Sequence, residues 1–140
     1  VYLIDTNVIS EARKKSRANP GVIAFFDRVA NAGDPVYLSV ITVGELRRGV
    51  ELIRLRGDAE QAHALETWLC TVLQQYADKV IAFDADAAQV WGRLRVPNHE
   101  HALDKQIAAT ALVHDLTVVT RNAADFAGAG VKVMNPFMAP

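Results

Sequence analysis

Val1-Tyr2-Leu3-Ile4-Asp5-Thr6-Asn7 runs four apolar residues into a carboxylate at the point where the chain must turn. A short apolar run of this kind reads as a buried strand, and an acid at its end is costly to keep near a core unless its charge is used there. In open α/β sheets, ligands and metals bind beyond the carboxyl ends of the strands, which makes Asp5 a candidate for that role. Thr6 and Asn7 add two short polar groups able to cap a helix or to orient the acid.

Outward from this stretch, strands and helices alternate. Residues 8–12 read as a short helix, followed by a basic loop and a second helix from Pro20 to Ala32 that Gly33-Asp34-Pro35 stops. Residues 36–40 read as a strand, and Thr42 with Glu45 has the spacing of a capping box for a helix through Arg56. After Gly57-Asp58, a long amphipathic helix carries Leu65, Trp68, Leu69, Val72 and Leu73 at intervals of three and four. Residues 80–83 form a short strand, Asp84 caps a helix over 85–95, and Pro97-Asn98 ends it. Asp104 opens a further helix with the buried stripe Ile107, Ala108, Ala111 and Leu112; residues 116–120 and 131–134 supply the last strands. The alternation predicts a three-layer α/β/α architecture, with a largely parallel central sheet of four to five strands and helices on both faces.

With 140 residues, 51% hydrophobic and 22% charged, the chain suits one domain over residues 1–140. A net charge of -1 excludes the globally basic signature of a non-specific nucleic-acid binder, but leaves local basic patches open. Cys70 is the only cysteine, so neither an internal disulfide nor a thiolate zinc cluster can form, and the cytoplasm is the expected compartment. Apolar runs such as residues 107–113 are too short to span a bilayer, and no membrane association is expected.

Asp5 follows a strand, Glu45 lies near the start of a helix, Asp104 opens a helix, and Asn122 and Asp125 follow a late strand. Taken singly, Glu45 and Asp104 are also what a helix start favours, and Asp125 suits a turn. Brought together, such carboxylates repel one another unless a cation neutralises them. Oxygen-only ligation points to Mg²⁺ or Mn²⁺ rather than zinc. The chemistry that suits such an ion is phosphodiester hydrolysis, in which it activates water and stabilises the leaving oxygen.

Residues 3–10 (LIDTNVIS), 43–49 (VGELRRG), 104–112 (DKQIAATAL) and 120–126 (TRNAADF), with the closing Asn135-Pro136-Phe137, resemble a PIN-domain ribonuclease nearly from end to end. Within that family the chain is most similar to the VapC-type toxins of VapBC toxin–antitoxin pairs, including the FitB-like branch. The resemblance implies a PIN-like fold and a Mg²⁺- or Mn²⁺-dependent endoribonuclease that stops translation by cutting structured RNA, tRNA or rRNA in several relatives. It also implies a VapB-like antitoxin whose C-terminal segment covers the active-site groove, and a toxin homodimer able to form higher assemblies with it. By motif position, Asp5 is the central metal ligand and Glu45 and Asp104 are further acids. For the fourth position Asn122 and Asp125 compete; the resemblance implies a ligand or water-holding role for Asp125 and support from Asn122, with Thr6, Asn7 and Thr120 as further candidate orienting residues. Helices over residues 45–56 and 58–76 are the candidate dimer interface.

The stretch 11–17 (EARKKSR) carries four positive charges and one negative, close in sequence to Asp5. Arg13, Lys14, Lys15 and Arg17, with Arg47, Arg48 and Arg121, are expected to offset the acids and guide an RNA backbone. Lys105 stands where relatives often carry a small or apolar residue, and its ammonium is a candidate for the RNA phosphates. Trp68, Trp91, Phe25, Phe26, Phe83 and Tyr76 fall at core-like spacings, and Cys70 reads as a small core residue. His63, His99, His101 and His114 share no metal-ligand spacing, and none is assigned a catalytic role.

Other classes fit less well. A receiver-type signalling domain requires an Asp after a central strand and a Lys after a late one, whereas residues 36–40 have no Asp behind them and Val119-Thr120 leads to Arg121. A phosphotransferase of the haloacid dehalogenase type requires a second Asp where Asn7 stands. A PIN domain that binds RNA or a partner without cutting is the remaining alternative.

Overall fold

Tyr2–Ile4 (β1) forms the centre of a five-stranded sheet in a computed structural model that describes residues 1–138. Ala139 and Pro140, the end of the expected domain, lie outside the described residues. The following elements are Thr6–Ala12 (α1), Pro20–Ala32 (α2), Val36–Ser39 (β2), Val40–Leu55 (α3), Ala59–Gln75 (α4), Val80–Ile81 (β3) and Ala85–Leu94 (α5). Ala102–His114 (α6), Thr117–Val119 (β4), Ala123–Ala127 (α7) and Val133–Met134 (β5) complete the order, with single 3₁₀ turns at Lys15–Arg17 and Pro136–Met138.

The strands pair in the order β3-β2-β1-β4-β5, and every pair is parallel. The chain steps outward from β1 to β3, then crosses back to lay β4 against the free side of β1, in the register Tyr2 to Thr117 and Ile4 to Val119. Consecutive strands therefore diverge at β1 and β4, which is the switch point where open α/β sheets form their binding crevice.

Successive strand residues face opposite sides of the sheet, and the two faces carry separate cores. Ile4, Leu38 and Val119 join Val8, Phe25, Leu46, Leu69 and Val72 from α1–α4 on one face. Leu3 and Val118 join Ile107, Ala108, Ala111 and Phe126 from α6 and α7 on the other. Coverage of both faces explains why β1 and β4 read as continuous apolar runs. The aromatic residues pack as expected: Phe25 is buried, Phe26, Trp68 and Tyr76 pack on the first core, and Phe83 meets Trp91 edge to face.

Gly33 ends α2 with φ +70°, a left-handed cap that suits glycine. Gly21 lets α2 press on the C-terminal turn, since a Cβ there would stand 1.9 Å from the Pro136 carbonyl oxygen.

Several boundaries differ from the sequence expectation, each for a local reason. α1 starts at Thr6 because Asp5 itself is its N-cap, accepting the Thr6 N–H at 2.8 Å. α3 starts at Val40 because the Ser39 hydroxyl accepts the Ile41 N–H at 3.0 Å. The Thr42–Glu45 capping box therefore does not form: Thr42 is fully buried inside the helix, and Glu45 lies in its second turn. α6 starts at Ala102, two residues before Asp104, behind His101 in a left-handed conformation. β3, β4 and β5 are each shorter than expected, α7 forms where the sequence pattern assigns no element, and Cys70 is exposed on α4 rather than in the core.

Candidate active site

Asp5 leaves β1 with a side chain only 3% exposed, among the few polar groups buried in the fold. Its Oδ1 accepts the Thr6 N–H, and its Oδ2 accepts the Thr120 hydroxyl at 2.7 Å and the Asn7 amide at 3.3 Å. Burial pushes this carboxyl above its ordinary range, and the hydrogen bonds from Thr120, Thr6 and Asn7 act in the opposite direction. These three bonds occupy most of a carboxylate's roughly four acceptor positions, so the orientation of Asp5 is fixed by the ends of both central strands.

Thr120, fully buried at the end of β4, also accepts the Asn122 N–H at 3.0 Å. Asn7 links the two strand ends: its amide nitrogen lies 3.4 Å from Thr120 Oγ1, and its Oδ1 accepts the Arg121 N–H at 3.0 Å. Thr6 reaches the other way, with its hydroxyl 2.9 Å from Glu45 Oε1 and 3.4 Å from the buried Thr42 hydroxyl. Glu45, on α3, is thereby tied to the start of α1, one residue from Asp5.

Asp104 lies in the first turn of α6 and is half-buried. Its carboxyl is pushed from 3.8 to about 6, first by burial and then by the charges of Asp5, Asp125 and Glu45. The charges of three acids from other segments thus reach Asp104 across the crevice at the ends of β1 and β4. Asp125, in the first turn of α7, places a carboxylate oxygen within 4.8 Å of a ligand atom of Asp104. Asn122 precedes α7 and makes no side-chain cap bond; its recorded link to the site is the backbone N–H on Thr120. Beside Asp104 and Asp125 opens a cavity of about 210 Å³, walled by Leu94, Ala108 and Phe126, with Lys105 at its edge.

Two residues of this neighbourhood escape a reading of the sequence. Thr42 has the spacing of a cap, yet it backs the Thr6–Glu45 contact. His101 shares no ligand spacing with the other histidines, yet its ring nitrogen lies within 4.8 Å of oxygens of both Asp104 and Asp125. The available signal was the three-residue interval between His101 and Asp104, hidden because the helix was started at Asp104 itself.

The basic groups divide. Arg47 is held by Glu66 at 2.6 Å and Glu51 at 3.3 Å, and Arg54 bonds the same two acids, so Arg47 serves an ion-pair network between α3 and α4 rather than a free cationic surface. Lys14 pairs with Glu11 at 3.0 Å. Arg13, Lys15, Arg17 and Arg48 form no ion pair among the described residues and are exposed. Lys105 donates its ammonium to the Asn98 carbonyl, and the Arg121 guanidinium lies 5.0 Å from the centre of the Phe137 ring.

The donor set fits a hard divalent cation. Carboxylate oxygens predominate, as Mg²⁺ or Mn²⁺ requires, and the mutual repulsion that raises Asp104 is what a bound cation would relieve.

Comparison with known proteins agrees with this geometry. The PIN domain family model matches residues 2–131. Toxin FitB of Neisseria gonorrhoeae is 39% identical over 98% of this chain and 99% of its own length. VapC ribonuclease Y4jK of Sinorhizobium fredii is 32% identical over 98% of each. The crystal structure of FitAcB from Neisseria gonorrhoeae aligns with a TM-score of 0.85 at 36% identity, covering 99% of this chain and 100% of that one.

Proposed function

The chain belongs to the PIN-domain family, and from that premise we propose that it is a divalent-metal-dependent endoribonuclease, the toxin of a type II toxin–antitoxin pair. The observation that carries this reading is the set of four carboxylates, Asp5, Glu45, Asp104 and Asp125, whose charges meet at the switch point of the sheet. Similarity to a protein named as a toxin and another named as a VapC ribonuclease supports both halves of the proposal.

In this reading Asp5 is the central ligand for Mg²⁺ or Mn²⁺, with Glu45, Asp104 and Asp125 around it. Such an ion supplies a water activated towards a phosphodiester and charge stabilisation for the leaving oxygen. The chain's own part is to hold the acids in place. Thr120, Asn7 and the Thr6 N–H fix both oxygens of Asp5, and the Thr6 hydroxyl fixes Glu45. Burial of Asp5 and the half-burial of Asp104 keep bulk water from screening the charges, which strengthens their hold on a cation. The cations Arg13, Lys15 and Arg17, without an ion pair among the described residues, attract the RNA backbone in a sequence-independent, salt-sensitive way, with Arg48, Arg121 and Lys105 as further contacts. Structured RNA, tRNA or rRNA, is the proposed substrate, and the cytoplasm the proposed compartment.

A VapB-like antitoxin is the proposed partner. Two adjoining hollows, of about 280 and 540 Å³, share Arg13 and Trp68 and run from Thr6 and Glu45 to Tyr76, which suits an extended segment laid towards the acids. Homodimerisation through α3 and α4 is retained in narrower form. Leu46, Val50, Leu69 and Val72 are spent on the chain's own core, whereas Leu55 is 83% exposed and open to a second copy.

The deciding experiment compares Mg²⁺-dependent RNA cleavage, and growth arrest on expression, for the wild type and Asp5→Asn. Loss of both in the variant is expected; equal cleavage by the two proteins would overturn the assignment.

A further inference from the structure

One nitrogen donor stands among the oxygens. His101 precedes α6 with φ 56° and ψ 44°, a left-handed backbone uncommon for any residue but glycine. Its side chain does not cap the helix it precedes. The backbone turn instead brings a ring nitrogen, an Asp104 oxygen and an Asp125 oxygen to within 4.8 Å of one another. His101 and Asp104 are three residues apart at the start of one helix, and Asp125 comes from α7, so the trio joins two elements across the mouth of the crevice.

The spacing agrees with shared coordination. Ligand bonds of roughly 2.1 Å put two donors on one ion about 3 Å apart when adjacent and about 4.2 Å apart when opposite. All three pairs lie within 4.8 Å, close to the opposite-donor separation, and the pairs that become adjacent close by at most ~1.8 Å, within reach of side-chain rotation.

We infer that His101 supplies a nitrogen ligand to the divalent ion held at Asp104 and Asp125, and so biases the site towards Mn²⁺ over Mg²⁺. Both ions favour carboxylate oxygen, but Mg²⁺ holds its waters and a strict octahedral shell, whereas Mn²⁺, a first-row transition ion, accepts an imidazole nitrogen more readily than Mg²⁺ does. This inference rests on the metal-dependent reading above, and its test separates the two.

The full chain is titrated with Mn²⁺, followed by the EPR signal of the free ion, and with Mg²⁺ by calorimetry. Wild type is compared with His101→Ala, with His101→Gly, whose backbone accepts positive φ freely, and with Asp5→Asn. Pulsed EPR of the Mn²⁺ complex reads ¹⁴N coupling directly. Wild type should show that coupling. Both His101 variants should lose it, weaken Mn²⁺ about tenfold or more, and change Mg²⁺ binding less than about threefold. If Mn²⁺ does not bind wild type, or binds Asp5→Asn as tightly, the metal-site reading falls and the inference with it. If Asp5→Asn weakens Mn²⁺ but wild type shows no ¹⁴N coupling, or the His101 variants retain it, only the assignment of His101 falls.

Discussion

In the metal-free protein, replacing Asp104 by Asn should raise stability at pH 8, although Asp104 is proposed as a metal ligand. The carboxyl is pushed from 3.8 to about 6 by burial and by three neighbouring acids. At face value this displacement corresponds to about 3 kcal/mol against the ionised fold, and solvent reaching a half-buried group reduces it to ~1–2 kcal/mol. Against this stands the loss of an acid from the first turn of α6, worth ~0.3–1 kcal/mol. The repulsion is the larger effect, and the variant should gain about 1 kcal/mol, or about 3 °C in Tm. Because the folded pKa lies above the unfolded one, the favourable contribution of protonated Asp104 is full below about pH 4 and is lost as the pH rises through 6. The variant's advantage should therefore be complete by about pH 7 and shrink as the pH falls towards 4. Urea denaturation with a chelator at pH 4.5, 6 and 8 measures it. With saturating Mn²⁺ the order should invert, since a ligand at a hundred times its Kd adds about 2.7 kcal/mol to a fold that binds it. A variant no more stable than wild type at pH 8 in chelator, or a gap that ignores pH, would refute the reasoning.

The supporting residues give two further expectations. Thr120→Val keeps the shape of a fully buried side chain but removes the 2.7 Å bond to Asp5 and leaves the Asn122 N–H without its acceptor; it should cost about 1–3 kcal/mol in urea denaturation, with Thr120→Ser recovering most of it. Neutralising Arg13, Lys15 and Arg17 together should flatten the slope of log affinity for single-stranded RNA against log salt by about 2. Arg47→Ala should leave that slope unchanged because Glu66 and Glu51 already hold its charge; an equal flattening would show that the pairing does not withdraw Arg47 from RNA.

The fold was legible where one local cause dominated. Gly33 closing α2 and Asp84 capping α5 appear as the sequence pattern implies, whereas α6 buries residues 107–111 without a break, beyond the expected stripe, and leaves its fourth member, Leu112, half-buried. Boundaries failed where two residues competed for one job. Ser39 and Thr42 can each cap a helix, and the winner is the one whose strand has already ended; Thr42, carried inside, meets Thr6 instead. α7 was missed because five residues give too little periodicity to distinguish a helix from a turn. Cys70 was misplaced because α4 turns its opposite side, Leu69 and Val72, to the core.

The site was legible as residue types and illegible as pairings. That carboxylates brought together repel one another unless a cation neutralises them follows from charge alone, but which basic residues stay out of ion pairs depends on contacts between helices that no spacing encodes. Arg47 sits within a motif beside Glu45, and its recruitment by Glu66 depends on how α3 lies on α4. The same holds for strand order. Asp5 ends the first strand in the chain, and only the return of β4 to the side of β1 makes that strand central. Once β4 is there, Thr120 and Asn7 can clamp the carboxylate from both strand ends. The acid is then held in one orientation, and its charge is felt by Asp104. The register of β1 against β4 is therefore as much a part of the proposed chemistry as the carboxylates themselves.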